Sequence, residues 1–184
     1  DLNTELGLTG PELETATIQA LNLSNTLGGN MTQTLKGVSD GMVIFGEDAG
    51  SVTSVMDKFA VVSQASGVPM DKLAKSVREF APVMKNAGFT LDETTALFGN
   101  MEANGIKVSR VMPALNASMR GLAEEGVTDL KGALMDQMET IKNAETDVEA
   151  LALATDMFGA EGAQRMSVAV RNGTLDIEAL TVAM

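Results

Sequence analysis

Apolar side chains recur along this chain every three or four residues, in runs that short polar segments interrupt. The run Met31, Leu35, Val38, Met42 and Phe45 has spacings of four, three, four and three residues. Such spacing places these side chains on one face of an α-helix. Nowhere do Val and Ile alternate with polar residues as a half-buried strand requires. The pattern therefore predicts an all-α fold.

Comparable runs predict further helices along the rest of the chain. The first runs from about residue 10 to the mid-twenties, and we assign Leu13, Ile18 and Leu21 to its buried face. Five later runs have the same spacing: Val52, Val55, Phe59 and Val62; Met70, Leu73, Val77, Phe80 and Met84; Leu91, Thr95, Phe98 and Met101; Val108, Val111, Leu115 and Met119; and Leu130, Leu134, Met138 and Ile141. Helices on either side of Gly159 and one from about Asp176 make about ten in all.

Glycines mark the ends of most of these runs. Gly46, Gly67 and Gly88 lie 21 residues apart, and Gly105 and Gly126 repeat that interval. Glycine enters the left-handed conformation that terminates a helix without steric cost, and the apolar residue that often follows packs on the last turn. The sequence thus predicts short helices joined by glycine-terminated turns, in a compact bundle or an irregular array.

Other residues refine the predicted boundaries. Thr and Glu three residues apart form possible capping boxes at Thr9–Glu12, Thr90–Glu93 and Thr146–Glu149, each at the start of a run. Gly37 and Gly41 lie inside the second helix, where each costs about 1 kcal/mol relative to alanine. They indicate either close approach of a neighbouring helix or a weak helix.

Composition limits the chemistry available to the chain. It has 45% apolar residues but only 3% aromatic residues, with 13 methionines and six phenylalanines. Methionine fills irregular gaps, so this content favours either a methionine-rich core or an adaptable binding surface. Cysteine and histidine are both absent, which removes disulfides, thiolate chemistry and the commonest general base and metal ligand.

The net charge of −12 is unevenly distributed. Residues 1–57 carry eight acids and one base, residues 58–120 five acids and eight bases, and residues 121–184 twelve acids and four bases. An acidic surface repels the phosphate backbone, so specific nucleic-acid binding is not expected. The basic middle part favours either a solvated helix face or contact with an acidic partner.

Clusters that could carry chemistry have simpler interpretations. The pairs Asp92–Glu93 and Glu124–Glu125 lie at predicted helix ends, where charge is common. The segment 28–30 is glycine-rich but follows no strand and lacks the ending of a phosphate-binding loop. Acids between Asp40 and Asp48 lack the spacing of a calcium loop. We therefore predict no catalytic, cofactor-binding or metal-binding residues and no enzymatic activity.

Three stretches resemble the core region of phage tail tape measure proteins of the lactococcal siphophage type. They are residues 80–94, which read FAPVMKNAGFTLDET; residues 104–123; and residues 156–165, which read DMFGAEGAQR. With the preceding 59–73 segment, the likeness spans roughly residues 55–180. The ordered series, with Pro82 and the helix stop at Phe158–Gly159, is more specific than any single glycine turn.

The resemblance implies a structural role in the virion tail, after assembly in the host cytoplasm. Such proteins occupy the tail tube, set tail length and leave ahead of the genome during ejection. The implied partners are other copies of the chain, tube and tip or distal tail proteins, and tail assembly chaperones. No catalytic residues of the family fall in this region.

The resemblance also suggests how the chain is divided. Residues 1–50 are interpreted as a variable, acidic helical region and residues 51–184 as the tape-measure-like core. Because the chain begins at Asp1 and not at Met, we expect it to be a fragment of a longer protein. Its apolar runs are far shorter than the roughly 20 residues of a membrane span, so we expect no span in this segment. The alternative function is a helical-repeat binding module, which a shared concave face would favour and one central core would disfavour.

Overall fold

The computed structural model describes residues 3, 7–48 and 51–175, and this part of the chain is helical without β-strands. The all-α prediction is therefore confirmed. Eight helices lie within these residues, against the ten or so expected, and the helix predicted from Asp176 falls outside them. The eight are α1 (Gly10–Leu27), α2 (Met31–Phe45), α3 (Val52–Ser66), α4 (Met70–Asn86), α5 (Leu91–Ala103), α6 (Val108–Glu124), α7 (Leu130–Lys142) and α8 (Asp147–Arg171).

The last helix is divided by Gly159. This residue has φ 71° and ψ 162°, which no α-helix contains. A straight helix of this length would separate its ends by roughly 36 Å, yet the Arg171 Nε atom lies 3.3 Å from the Asp147 carboxylate. Arg171 also donates to the Ala144 carbonyl at 2.7 Å. The two arms of α8, residues 147–158 and 160–171, therefore fold back against each other.

Glycines with positive φ follow helices α2 to α6, whereas α7 ends at Asn143 with φ −93°. Gly46 after α2 has φ 79° and donates to the Met42 carbonyl, and Gly67 after α3 has φ 69°. Gly88, Gly105 and Gly126 have φ of 94°, 70° and 92° in the turns after α4, α5 and α6. Helices α1 to α7 are 13 to 18 residues long, and a turn redirects the chain after each of them.

The capping boxes differ in the structure. At α5 both bonds form, because Thr90 accepts from the Glu93 N–H while the Glu93 carboxylate accepts from the Thr90 N–H. At α8, Thr146 accepts from the Glu149 N–H, but the Glu149 carboxylate accepts from the Glu145 N–H instead. Among the described residues, no bond of this kind is found at Thr9.

Helices mainly pack against neighbours two positions away in the chain. The pairs α1 with α3, α2 with α4, α3 with α5 and α6 with α8 all form this way, and α7 packs on α8. Their apolar faces join one continuous core that extends from Leu8 to Leu175. One continuous core disfavours an open stack of repeats with a shared concave face.

Methionines fill much of this core. Of the methionines that the structure describes, ten are buried: Met42, Met56, Met70, Met84, Met101, Met112, Met119, Met138, Met157 and Met166. Between the two interpretations of the methionine content, the structure thus favours a methionine-rich core. Phe59, Phe98 and Phe158 are the aromatic side chains buried most completely, and the Phe98 ring meets Phe80 edge-on at 6.2 Å between centroids.

The burial assigned to Ile18 and Leu21 of the first helix is wrong, whereas Leu13 does pack against the core. Ile18 and Leu21 are 51% and 45% exposed, whereas Ala16 and Ala20 are buried and Leu13 is partly buried. Leu23 and Leu27 also pack partly buried against the core, so α1 meets the fold through two alanines and several leucines. The apolar pattern located this helix but assigned two of the three side chains to the wrong face.

Candidate functional site

Two glycines mark a close helix contact, the α2–α4 crossing, which we define by Gly37 and Gly41 of α2 and Ala74 and Val77 of α4. A Cβ atom built on Gly37 would lie 2.4 Å from the Ala74 carbonyl oxygen, and one on Gly41 would lie 3.1 Å from a Val77 methyl. Only a hydrogen fits at position 37. Of the two interpretations of these glycines, close approach of a neighbouring helix is therefore confirmed.

An ion pair holds the outer side of the α2–α4 crossing. The Arg78 guanidinium on α4 lies 2.8 Å from the Asp40 carboxylate on α2. The Lys85 ammonium, in the last turn of α4, donates to the Ile44 carbonyl near the end of α2. These charged side chains therefore hold α2 and α4 together. Asp40 lies within a helix and not in a loop that could bind calcium.

A second contact, the Lys131 junction, joins α7 to the start of α5 and consists of Lys131, Glu93 and Phe89. Lys131 at the start of α7 pairs with the Glu93 carboxylate in the first turn of α5. Its ammonium also lies 5.7 Å from the centre of the Phe89 ring, where the ring face attracts a cation. One lysine thus connects α7 with the turn between α4 and α5.

Glu93 has both a local and a long-range role. Burial of its carboxyl raises the pKa, but the hydrogen bond from Lys131, the bonds from Thr90 and the Lys131 charge outweigh it, so the pKa lies below its ordinary value. The neighbouring Asp92 pairs with Lys58 of α3 at 2.5 Å. This acid pair therefore caps α5 and connects it to two other helices.

The glycine-rich segment 28–30 forms a joint between α1 and α2. Gly28 and Gly29 have φ of 73° and 93°, and the Asn30 side chain caps α2 by accepting from the Gln33 N–H. Beside this joint, α1 leaves a small cleft against the rest of the fold. The cleft is lined by Ala20, Leu23, Gly28, Met31, Thr34, Met56 and Met70.

A shallow acidic depression lies at the turn between α7 and α8. It is lined by Asp136, Glu139, Thr140, Asn143, Ala144, Glu145 and Glu149. Within the described residues, no group of acids is placed to hold a metal ion. Since Glu149 already accepts the Glu145 N–H, at least one of these carboxylates serves local structure. The sequence expectation that the chain has no catalytic, cofactor or metal residues stays a prediction.

The outer surface carries scattered apolar side chains. Val43 of α2 is 61% exposed and Val148 of α8 is 79% exposed. In the part of the chain that the structure describes, no helix is both long enough and apolar enough to cross a membrane.

Comparison with known proteins identifies the family. A sequence profile described as phage-related minor tail protein matches residues 2–174. A tape measure protein of Pneumococcus phage Dp-1 is 26% identical over 139 residues, a match that covers 68% of this chain and 12% of that protein. This chain thus corresponds to a small part of that relative's length. No solved structure matches the chain significantly.

The profile match covers nearly the whole chain, well beyond the three stretches on which the sequence resemblance depends. The resemblance to phage tail proteins of the tape measure type is confirmed by both comparisons. This chain belongs to the phage-related minor tail protein family.

Proposed function

We propose that this chain is a structural segment of a tail tape measure protein and has no enzymatic activity. Family membership and the similarity to a tape measure protein carry the proposal. The structure supports it, because acidic residues that could have formed a catalytic pair instead cap a helix and bind lysines of neighbouring helices. Asp92 and Glu93 are the clearest example.

As part of a tape measure, the segment contributes to tail length through its number of residues. A continuous helix rises about 1.5 Å per residue, so 184 residues would span about 280 Å. The folded chain is much shorter, because its turns bring distant segments together, such as α1 with α3. We propose that it is compact before tail assembly and rearranges into an extended form inside the tube.

Several features lower the cost of that rearrangement. The core depends on flexible methionines and few aromatic rings, and methionine packs acceptably in many arrangements. Most turns between the helices contain glycine and can straighten without steric cost. In this proposal residues 51–184 form the core tape-measure region, and residues 1–50 form a variable acidic region before it.

The proposed location is the virion tail, reached after synthesis in the host cytoplasm. Its proposed partners are other copies of itself, the tail tube, tip or distal tail proteins, and tail assembly chaperones. Expulsion from the tube during genome ejection completes the proposed cycle.

Deletion of this segment in frame from the parent phage gene tests the length role. Electron micrographs of tails should show a shortening of up to about 280 Å, the length of the same number of residues in an extended helix. A duplication of the segment should lengthen tails by the same amount. Unchanged tail length in both phages would contradict the proposal.

A matched phage carrying Gly37→Ala separates length from folding. The substitution disturbs the α2–α4 crossing without altering the residue count. Tails should assemble at normal length if residue number sets it. Tails whose length changes with this single substitution would show that the folded form matters more than the extended one.

A further inference from the structure

Two helices end at the dipeptide Asn-Gly. Asn104–Gly105 follows α5 and Asn172–Gly173 follows α8. The other eight asparagines of the chain all precede a residue with a side chain: Thr4, Leu23, Thr26, Met31, Ala87, Met101, Ala117 and Ala144. This difference matters chemically, because a glycine after asparagine leaves the backbone nitrogen unhindered and free to rotate.

In such a pair the glycine nitrogen can attack the Cγ atom of the asparagine amide. A bond forms between that nitrogen and Cγ, the Cγ–Nδ2 bond breaks, and Nδ2 leaves as ammonia with the proton of the glycine N–H. Water then opens the resulting cyclic imide at either carbonyl. The products are aspartate or its isomer, in which the backbone runs through the side chain. No oxidant or enzyme is required.

The folded chain holds both glycine nitrogens away from this reaction. The Gly105 N–H donates to the Glu102 carbonyl at 2.9 Å, and the Gly173 N–H donates to the Val170 carbonyl at 3.1 Å. The preceding Asn104 keeps near-helical backbone angles of φ −83° and ψ 10°. Attack requires the glycine N–H to leave its hydrogen bond and the peptide to rotate, so the helix end must first open.

Asn104 is held more firmly than Asn172. Its amide nitrogen donates to the Asn100 carbonyl at 2.9 Å, to the Asn100 side-chain oxygen at 2.7 Å and to the Thr174 carbonyl at 3.1 Å. The Arg165 guanidinium fills the space beside Gly105, 2.6 Å from where a Cβ would lie. Asn172, in contrast, is an exposed residue at the end of α8.

We propose that Asn104 and Asn172 are spontaneous deamidation sites that the folded chain protects and the opened chain exposes. Protection is greater at Asn104 because its side chain joins the end of α5 to the segment after α8. The proposal depends on the local geometry and not on the role in the tail.

Conversion changes how the chain refolds. Each product adds one negative charge at the carboxyl end of a helix, where the helix dipole disfavours it. At position 104 it also replaces an amide donor with a carboxylate that faces the Thr174 carbonyl. The contact between α5 and the end of α8 is then lost, so deamidation marks chains that have been opened and hinders their return to the native fold.

Peptide mapping by mass spectrometry of the purified chain tests the proposal. Samples are kept in mildly alkaline buffer, with and without denaturing concentrations of urea, and each asparagine is followed over time. In urea, Asn104 and Asn172 should convert at similar rates and well before the internal controls Asn86, Asn100 and Asn116. In buffer, Asn104 should convert at least ~10-fold more slowly than in urea. A free energy of 1.4 kcal/mol for opening the helix end lowers the population of the opened form, and with it the rate of conversion, about tenfold.

Asn172 should show an intermediate rate in buffer. Equal rates at Asn104 with and without urea would show that the fold does not protect this residue. Conversion of Asn104 and Asn172 in urea no faster than that of Asn100 would show that they are not preferred deamidation sites. Two variants sharpen the test. Gly173→Ala should slow conversion at Asn172 in urea without changing Asn104.

The second variant is Met166→Ala, which removes a buried side chain of α8. It should speed conversion of Asn172 in buffer and leave the rate in urea unchanged. A rate in buffer that this variant does not change would show that opening of α8 does not control the reaction.

Discussion

Helices α1 and α4 have similar lengths but are held in the fold in different ways. α4 buries Met70, Leu73, Ala74, Val77, Ala81 and Met84 and meets α2 at a contact where only glycine fits. Of the side chains of α1 that the structure describes, only Ala16 and Ala20 are fully buried; Leu13, Leu23 and Leu27 pack partly buried against the core, and Ile18 and Leu21 are exposed. Of the polar side chains of α1 that the structure describes, Gln19 bonds to another helix: it donates to the Thr53 carbonyl at 3.0 Å and to Asp57 at 2.5 Å.

This difference indicates where the fold opens first. Local opening costs least where few apolar atoms are buried and most where the core is densest. α1 is also followed by the Gly28–Gly29 joint and leaves a cleft beside the core. We therefore expect α1 to leave the fold before the α2–α4 crossing does, and the predictions below test this order.

The largest effect should come from truncation of the core beside the α2–α4 crossing. Met42 of α2 is fully buried, and Met42→Ala should lower the free energy of unfolding by about 2–5 kcal/mol through lost burial and a cavity. Its chain neighbour Val43 is 61% exposed, and Val43→Ala should change stability by less than about 0.5 kcal/mol. Urea unfolding followed by circular dichroism compares the two. Equal losses of stability in Met42→Ala and Val43→Ala would mean that the face of α2 that carries Met42 is not buried.

A smaller loss is expected from one added methyl group at the crossing. Gly37→Ala places a Cβ against the Ala74 carbonyl and should destabilise by about 1–3 kcal/mol, despite the better helix propensity of alanine. Gly121 of α6 has nothing within 4 Å of the same position. Gly121→Ala should therefore stabilise by about 0.5–1 kcal/mol. A stabilising Gly37→Ala would show that the helices are farther apart than described.

The sequence predicted the helices better than it predicted their partners. Runs such as Val52 to Val62 and Leu130 to Ile141 located helices, because a buried stripe repeats with the helical period. Ile18 and Leu21 of the first helix were wrongly assigned to the buried face because Ala16 and Ala20 give no signal in a pattern of large apolar side chains. That Ala16 and Ala20 face the core follows only from the packing of α1 on α3.

Contacts between distant residues could not be predicted in the same way. The Thr90–Glu93 capping box is local, and the sequence predicted it correctly. Glu93 and Lys131 are 38 residues apart in the sequence, and no pattern of residue spacing predicts a contact over that distance. Similarly, Gly37 indicated close approach of a helix, but its partner Ala74 follows only from the packing of α2 on α4.

A moderate and pH-dependent effect is expected at the Lys131 junction. Because the folded-state pKa of Glu93 is lowered, its ionised form stabilises the fold at neutral pH, and this contribution is lost as the pH falls through the acidic range. Glu93→Gln should cost about 1 kcal/mol at neutral pH and progressively less in acid. Thermal unfolding across the pH range measures this.

Glu161→Gln is the control for that series. The Glu161 side chain is 70% exposed and lies 3.9 Å from Arg110, so its removal should leave stability unchanged at every pH. A Glu93→Gln effect that stays constant down to acidic pH would contradict the role of its charge.

The smallest effect should be confined to α1. Gln19→Ala removes the bonds to Thr53 and Asp57 and should favour opening of α1 by about 0.5–1 kcal/mol. Amide hydrogens of α1 should then exchange about two- to fivefold faster, while those of α4 keep their rates, because the global transition is unaffected. Hydrogen exchange with mass spectrometry resolves the two helices. Equal acceleration in α1 and α4 would mean that they open together, and the order of opening inferred from their burial would be wrong.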